Sequence, residues 1–244
     1  MVIPSFETSR LWLRPLTLDD ADQIQVQFPQ WEVIRYLFHG IPWPYQADGA
    51  LTWCRETALP QMAHGQAWHW TMRLKTDPDQ IVGLISLMTG EHDNRGFWVA
   101  PPWQRQGLAS EAVDVVTGYW FDVLRFPILR APKAVANVAS RRISERQGMR
   151  VIRTEDREYV SGRTRRMPYA TETSDRADSS LRTAVALRVT SCDSASRHSR
   201  QACTVRRPNL ACSRQRGRVG DALRLIPNVG PSWPRIAISF SLRP

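Results

Sequence analysis

"GFWVAPPWQRQGLASEA", residues 96–112, decides how this chain is read. It opens on an apolar run, Phe97–Ala100. Pro101 and Pro102 then stop strand pairing, because proline has no N–H to give to a ladder. After Gly107, residues Leu108, Ala112, Val115, Val116, Tyr119, Trp120 and Val123 fall on one face of a helix. A strand therefore hands over to a helix through a loop that is almost bare at Gly107 and Ala109. Two physical reasons exist for such a loop. A tight turn needs glycine, which alone takes a positive φ freely. Alternatively, the first N–H groups of a helix lack internal acceptors. They sit at the positive end of the macrodipole and gather a phosphate, provided small residues let it approach.

Upstream, "SRLWLRPL" (9–16) alternates Leu11 and Leu13 with Arg10 and Arg14, a half-buried strand. Thr17 is placed to cap a helix with Asp19 and Asp20 in its first turn. Ile24, Phe28 and Trp31 continue at helical spacing, and a second helix starts at Asp48. "AWHWTMRLK" (67–75) and "QIVGLISLM" (80–88) read as strands, and "TGEHDNRG" (89–96) as a polar hairpin turn. Downstream, "PILRAPKAV" (127–135) is an apolar strand that Pro132 confines to an edge or a splay point. "NVASRRISERQGM" (137–149) is a short helix with Asn137 as cap, Gly148 as its C′ residue and Met149 packing beyond. "MRVIRTEDREYVSG" (149–162) reads as a closing strand or hairpin.

The character changes at Thr171. Residues 171–244 hold thirteen arginines, no lysine and five acids, so most of the chain's net charge of +10 belongs there. The stretch has no sustained period, and its composition predicts a disordered extension after a domain spanning 1–170. A basic tail can hold nucleic acid by charge. Its two aromatics, Trp233 and Phe240, make a poor stacking platform and argue against that role. The abrupt turn to arginine also fits a tail read out of frame from near Arg163. No apolar run reaches the roughly 18 residues of a membrane span, and no signal peptide is visible at the N-terminus. Cys54, Cys192, Cys203 and Cys212 have no zinc-ligand or disulfide spacing and read as free thiols. The expectation is a cytoplasmic protein with no metal and no membrane partner, as monomer or homodimer.

"GFWVAPPWQRQGLASEA" followed by "NVASRRISERQGM" resembles the GNAT superfamily of acetyl-CoA-dependent N-acetyltransferases. "ETSRLWLRPLTLDDAD" and "IPWPYQADGALTW" are similar to its branch that acetylates ribosomal-protein N-termini (RimJ/RimL-like). The resemblance covers about residues 7–163. It implies a mixed α/β fold whose central sheet is mostly antiparallel, with a splay between two strands and helices on both sides. It also implies transfer of acetyl from acetyl-CoA to a primary amine, either a protein N-terminus or a small molecule. Gln104, Arg105, Gln106, Gly107, Leu108 and Ala109 would hold the pyrophosphate of coenzyme A. Trp98 and Val99 would offer backbone groups to the pantetheine and the thioester carbonyl. Asn137 would hydrogen-bond the pantetheine, Ser140 would donate to the leaving thiolate, and Arg141, Arg142 or Arg146 would meet the nucleotide's phosphate.

The reaction requires N–H donors for an oxyanion and a group that takes the amine proton. "GFWVA" carries no carboxylate where some family members place one, which leaves Glu158 and Tyr159 as candidates. Each pick has a structural alternative. Gly107 can serve only a turn, Asn137 only a cap, and Ser140 can be an ordinary first-turn serine. Glu158 and Tyr159 can sit on a solvated strand face. His69 reads as a packed strand histidine, with a substrate-side role as the alternative. Most of the tryptophans read as core, and Trp43 is a candidate wall of the acceptor site. After "EYVSG" the family continues with an apolar strand, whereas here "RTRRMPYATETS" follows. Loss of that strand would leave an edge unpaired and open to aggregation. The rival from another class is a non-catalytic cofactor-binding or interaction module with an altered C-terminus.

Overall fold

The computed structural model describes residues 2–172, so the extension read as disordered lies outside the described residues from 173 on. The strands form two antiparallel ladders. In the first, β1 (Phe6–Glu7), β2 (Leu11–Pro15), β3 (Ala67–Leu74), β4 (Asp77–Met88) and β5 (Arg95–Val99) lie side by side in that order. The second contains β6 (Ile128–Ala134), β7 (Arg150–Val151), β8 (Glu155–Tyr159) and β9 (Gly162–Glu172). β9 is its centre, with β6 along one side and β7 and β8 along the other.

β9 answers what the sequence left open after "EYVSG": a last strand is present. "GRTRRMPYATE" has no apolar alternation to read, yet backbone pairing to three neighbours holds it, with Tyr169 fully buried. It also carries the fold two residues past the expected boundary at 170.

β5 and β6 face each other and share no ladder among the described residues. They are clamped at one end only. Asn94 N–H donates to Arg130 O (2.7 Å), and Arg130 N–H donates to Asn94 Oδ1 (2.8 Å). Three residues beyond the clamp on each strand, Lys133 meets the Phe97 ring. The equal offset means that both strands leave the clamp in the same direction, with a gap between them. Pro132 in β6 fits the splay role read for it, because β6 pairs on its β9 side alone.

One core lies against helix α5 (Leu108–Gly118), where Leu108, Ala112, Val115, Val116, Tyr119 and Trp120 pack on β2, β3 and β4. Val123 departs from that face and is exposed. The chain leaves α5 through a wider turn at Tyr119–Val123, in which Leu124 N–H reaches back to Tyr119 O (2.9 Å). The extra residue rotates Phe121 inward and Val123 outward. The second core lies on the other face, under α1 (Ala21–Gln27), α3 (Gly49–Trp53) and α4 (Leu59–Ala63). Pro29 separates α1 from α2 (Trp31–Ile34), so Trp31 is not a continuation of the Ile24–Phe28 face and is left half exposed. α6 (Val138–Arg146) ends as its sequence reads: Gly148 takes φ +73, its N–H donates to Glu145 O (3.0 Å), and Met149 is buried beyond it.

Candidate active site

The bare loop answers both readings of Gly107 with one geometry. β5 ends at Val99, Pro101–Trp103 make a short 3-10 turn, and Arg105 and Gly107 adopt left-handed φ values of +62 and +81. Glycine is there for the turn, and the turn aims N–H groups outward. Among the described residues, no backbone N–H from Arg105 to Ser110 has an acceptor. The helical ladder begins only with Glu111 N–H on Gly107 O (3.1 Å).

Cations surround this head of α5. Arg10 Nη1 donates to Gln106 O (2.8 Å), and a Cβ placed on Gly107 would lie 3.4 Å from Arg10 Nη2. Arg146, at the end of α6, donates to Ser110 Oγ. Glu111 anchors the assembly to the β1–β2 turn, accepting from the Thr8 hydroxyl, Arg10 N–H (2.7 Å), Ser9 Oγ (2.9 Å) and Arg10 Nε (2.9 Å). Burial alone would push the Glu111 carboxyl up, but these donors outweigh it and hold it below the ordinary range. The other side chains of the loop serve the loop itself. Gln104 Nε2 donates to Val99 O (2.8 Å), Gln106 Nε2 donates to Pro102 O (3.0 Å), and Leu108 is buried in the core. Ala109 is half-buried, and Arg105 is exposed. An anion would therefore meet N–H groups and arginines, not glutamine amides.

The register of β5 sorts its backbone. Met88 N–H donates to Asn94 O (3.0 Å) and Ala100 N–H to Val82 O (2.9 Å). By antiparallel alternation, the carbonyl of Asn94 and residues 96, 98 and 100 bond to β4, while 95, 97 and 99 turn their N–H and C=O groups to the gap. The N–H and C=O of Trp98 are thus directed at Leu84, its partner in the register, which corrects the expectation that they face a ligand. Val99 does face the gap, with its carbonyl engaged by Gln104. Phe97, missed in the sequence, offers both of its backbone groups there.

α6 brings Asn137 and Ser140 together. Ser140 N–H donates to Asn137 Oδ1 (3.2 Å), which makes Asn137 the cap. Ser140 is buried, and its hydroxyl has no hydrogen bond among the described residues. Of the three arginines considered for a phosphate, Arg141 is engaged elsewhere, with Tyr169 Oη (3.2 Å) and Val135 O (3.1 Å), and Arg146 stands at the head of α5. The candidates on β8 separate: Tyr159 is buried and bridged to Phe38, whereas Glu158 is exposed on the opposite face. Val160 N–H on Leu37 O (3.0 Å) and Ser161 N–H on Arg35 O (3.2 Å) join the β8–β9 hairpin to the segment after α2. Near that segment Trp31 and Trp43, both exposed, meet with their rings tilted by 47° and 5.4 Å between centroids.

His69 is the packed strand histidine of the first reading. Its Nδ1 meets Ser86 Oγ at 2.7 Å and its ring lies edge-on to Trp53. Burial pulls its pKa down from 6.5 to about 4. The unfolded chain therefore binds a proton that the folded chain refuses between those values. Stability is full above about pH 6.5 and falls as pH drops toward 4. Denaturant midpoints across that window should fall in the wild type and flatten in His69→Gln.

Two buried cations beside the gap were not legible in the sequence. Arg95, fully buried at the closed end of the gap, donates to Thr117 Oγ1 (2.7 Å) and to Gln147 Oε1. Gln147 in turn donates to Asp114 (3.0 Å), which ties β5, α5 and the end of α6. Lys133 lies across the gap with Nζ 5.2 Å from the Phe97 ring centroid. The one signal for either is a charge at a core-parity position, "RGFWV" and "APKAV". Among the described residues, no three His, Cys, Asp or Glu side chains are grouped to hold a metal, and no helix is long and apolar enough to cross a membrane.

Residues 10–150 match the family model described as an acetyltransferase (GNAT) domain. An uncharacterized N-acetyltransferase, YoaA of Bacillus subtilis (strain 168), is 30% identical over 152 residues, which is 60% of this chain and 83% of that protein. Solved structures share the fold. A ribosomal-protein-S5-alanine acetyltransferase from Vibrio fischeri superposes with a TM-score of 0.60 at 15% identity, covering 69% of this chain and 96% of that one. RimL, a ribosomal L7/L12 alpha-N-protein acetyltransferase in complex with coenzyme A, gives 0.58 at 15% identity over 69% and 97%. The microcin C7 self-immunity acetyltransferase MccE, in complex with acetyl-CoA and AMP, gives 0.56 at 16% identity over 67% and 93%. The chain belongs to the GNAT acetyltransferase family and is an acetyl-CoA-dependent N-acetyltransferase.

Proposed function

We propose that acetyl-CoA lies along the gap between β5 and β6, with its phosphates at the head of α5, and that the acceptor is the α-amino group of a protein N-terminus. The observation that carries this reading is the run of free N–H groups from Arg105 to Ser110, ringed by Arg10, Arg105 and Arg146 and continuous with the end of β5. The residues fit the cofactor in chemistry: unpaired donors for a pyrophosphate, gap-facing backbone groups at Val99 and Phe97 for the pantetheine and the thioester carbonyl, and at Ser140 a hydroxyl with no hydrogen bond among the described residues. Bound acetyl-CoA supplies an activated acyl carbon and a thiolate leaving group. The N–H group of Phe97 holds the acyl oxygen, and Ser140 delivers a proton to the sulfur. Asn137 fixes the turn that presents Ser140.

The acceptor enters beside Tyr159, Phe38 and the Trp31–Trp43 pair. An α-amino group, with a pKa of about 7.7–8.0, reaches its neutral form near physiological pH, whereas a lysine at about 10.4 does not. With Glu158 pointing into solvent, a substrate that needs little help losing its proton suits the site. A small amine held on the exposed tryptophan rings is the second reading.

The test is Gly107→Asp. Aspartate tolerates left-handed backbone better than most side chains, and a carboxylate at a helix head accepts from free N–H groups. The variant should therefore melt close to the wild type. Its charge occupies the place of the phosphate, and a like charge at about 4 Å costs roughly 1–4 kcal/mol. Calorimetry should show acetyl-CoA affinity falling about tenfold or more. Unchanged affinity in a folded variant would reject the phosphate assignment.

A further inference from the structure

The chain has two lysines, Lys75 and Lys133, against 31 arginines. Lys75 is on the surface, paired with Glu7 (2.7 Å) and lying over Trp12. Lys133 is 8% exposed and stands on β6 beside the gap, three residues beyond the Asn94–Arg130 clamp. Among the described residues its one direct partner is the Phe97 ring, and no carboxylate pairs with it. Phe97 is also the residue whose N–H and C=O line the gap. The amine of Lys133 is therefore held against the side chain of the residue whose backbone N–H is assigned to the acyl end of acetyl-CoA.

We propose that Lys133 is an internal acetyl acceptor, and that the enzyme acetylates it from acetyl-CoA held in the β5–β6 gap. The inference rests on the placement of acetyl-CoA given above. The neutral Nζ attacks the acyl carbon, an N–C bond forms, and the C–S bond breaks with its electron pair going to sulfur. One proton leaves nitrogen and is taken up by the thiolate, directly or through water. The products are Nε-acetyl-Lys133 and free coenzyme A, and no other reactant is consumed.

Two physical effects favour the step. Burial, with Arg95 adding like-charge repulsion against the pull of Asp93, brings the ammonium down to about 8. At pH 8 about half of the amine is then neutral, whereas a lysine in water, with a pKa of about 10.4, is neutral in well under one part in a hundred. Acetylation also removes a buried cation that has no counter-ion in contact, so it relieves both desolvation and the repulsion from Arg95.

The experiment incubates the full chain with acetyl-CoA at pH 8 without acceptor and maps acetyl marks on both lysines by mass spectrometry. Binding of acetyl-CoA is followed in parallel by calorimetry. Lys133 should gain one acetyl group about a hundredfold faster than Lys75, in line with the difference in neutral amine. Excess free coenzyme A should suppress the Lys133 mark and leave the slow Lys75 mark unchanged. Binding heat with Lys133 unmodified overturns the proposal while leaving the cofactor placement intact. A Lys133 mark no faster than that on Lys75, or insensitive to coenzyme A, reports solution chemistry and also overturns it. Absence of both binding heat and mark overturns the placement and the proposal together.

Discussion

Asp20→Ala should lower the unfolding free energy by about 3–5 kcal/mol, the usual result of removing one member of a buried ion pair. Arg73 Nη2 and Asp20 Oδ1 lie 2.5 Å apart, with each side chain only 9% exposed. The other Asp20 oxygen accepts from Thr17 N–H (2.8 Å) and from the Thr17 hydroxyl (3.1 Å). Arg73 spends its remaining donors on Thr71 Oγ1 and on the carbonyls of Pro78 and Asp79. One pair thus ties the turn before α1 to the β3–β4 hairpin. Alanine would strand the guanidinium away from water with its carboxylate gone. Replacing both residues, as Asp20→Leu with Arg73→Met, should cost far less than the single change, because no uncompensated charge remains. Denaturant unfolding of the three variants measures this directly. A loss below about 1 kcal/mol for Asp20→Ala would place the pair with surface ion pairs and refute its structural role.

This pair also shows what a single sequence can and cannot tell. Thr17 and Asp20 were legible as a helix start because capping is local: donor and acceptor lie three residues apart. Arg73, fifty-three residues further on, was not. The same division holds at the active site. Gly107, Asn137 and Gly148 announce themselves through backbone chemistry that depends on near neighbours. The strand at Arg95–Val99 was plain from its apolar run and the prolines after it. Which of its backbone groups face the gap was not plain, because that depends on the phase of its pairing with β4. A shift of one residue exchanges Phe97 for Trp98. β9 was missed for a related reason. A strand paired on both sides draws its support from other strands, so "GRTRRMPYATE" has little need of the alternation that marks a strand with one solvated face. The burial of Arg95 and Lys133 likewise depends on distant packing, Arg95 against Thr117 of α5 and Lys133 against Phe97 of β5.

The largest kinetic effect expected is that of Ser140→Ala, a loss of about 10²–10⁴-fold in turnover, the range for a positioned proton donor. Ser140 lies inside the first turn of α6, and its N–H is already engaged by Asn137 Oδ1. The cap therefore survives the substitution, and stability should change by less than the roughly 0.5–2 kcal/mol that loss of a cap costs. The hydroxyl has no partner among the described residues, so alanine breaks no hydrogen bond in the resting protein. A donor that acts only as the C–S bond breaks lowers kcat and kcat/KM together and leaves cofactor affinity nearly unchanged. Asn137→Ala separates capping from proton donation: it should cost stability first, and turnover only through the loosened turn. The acidic limb of the pH–rate profile should persist in Ser140→Ala, since a serine hydroxyl does not titrate there, while the amplitude collapses. Wild-type turnover in folded Ser140→Ala would instead remove Ser140 from the reaction. The proton would then come from Tyr159, the remaining buried hydroxyl on the acceptor side, or from water, and Tyr159→Phe decides between these two.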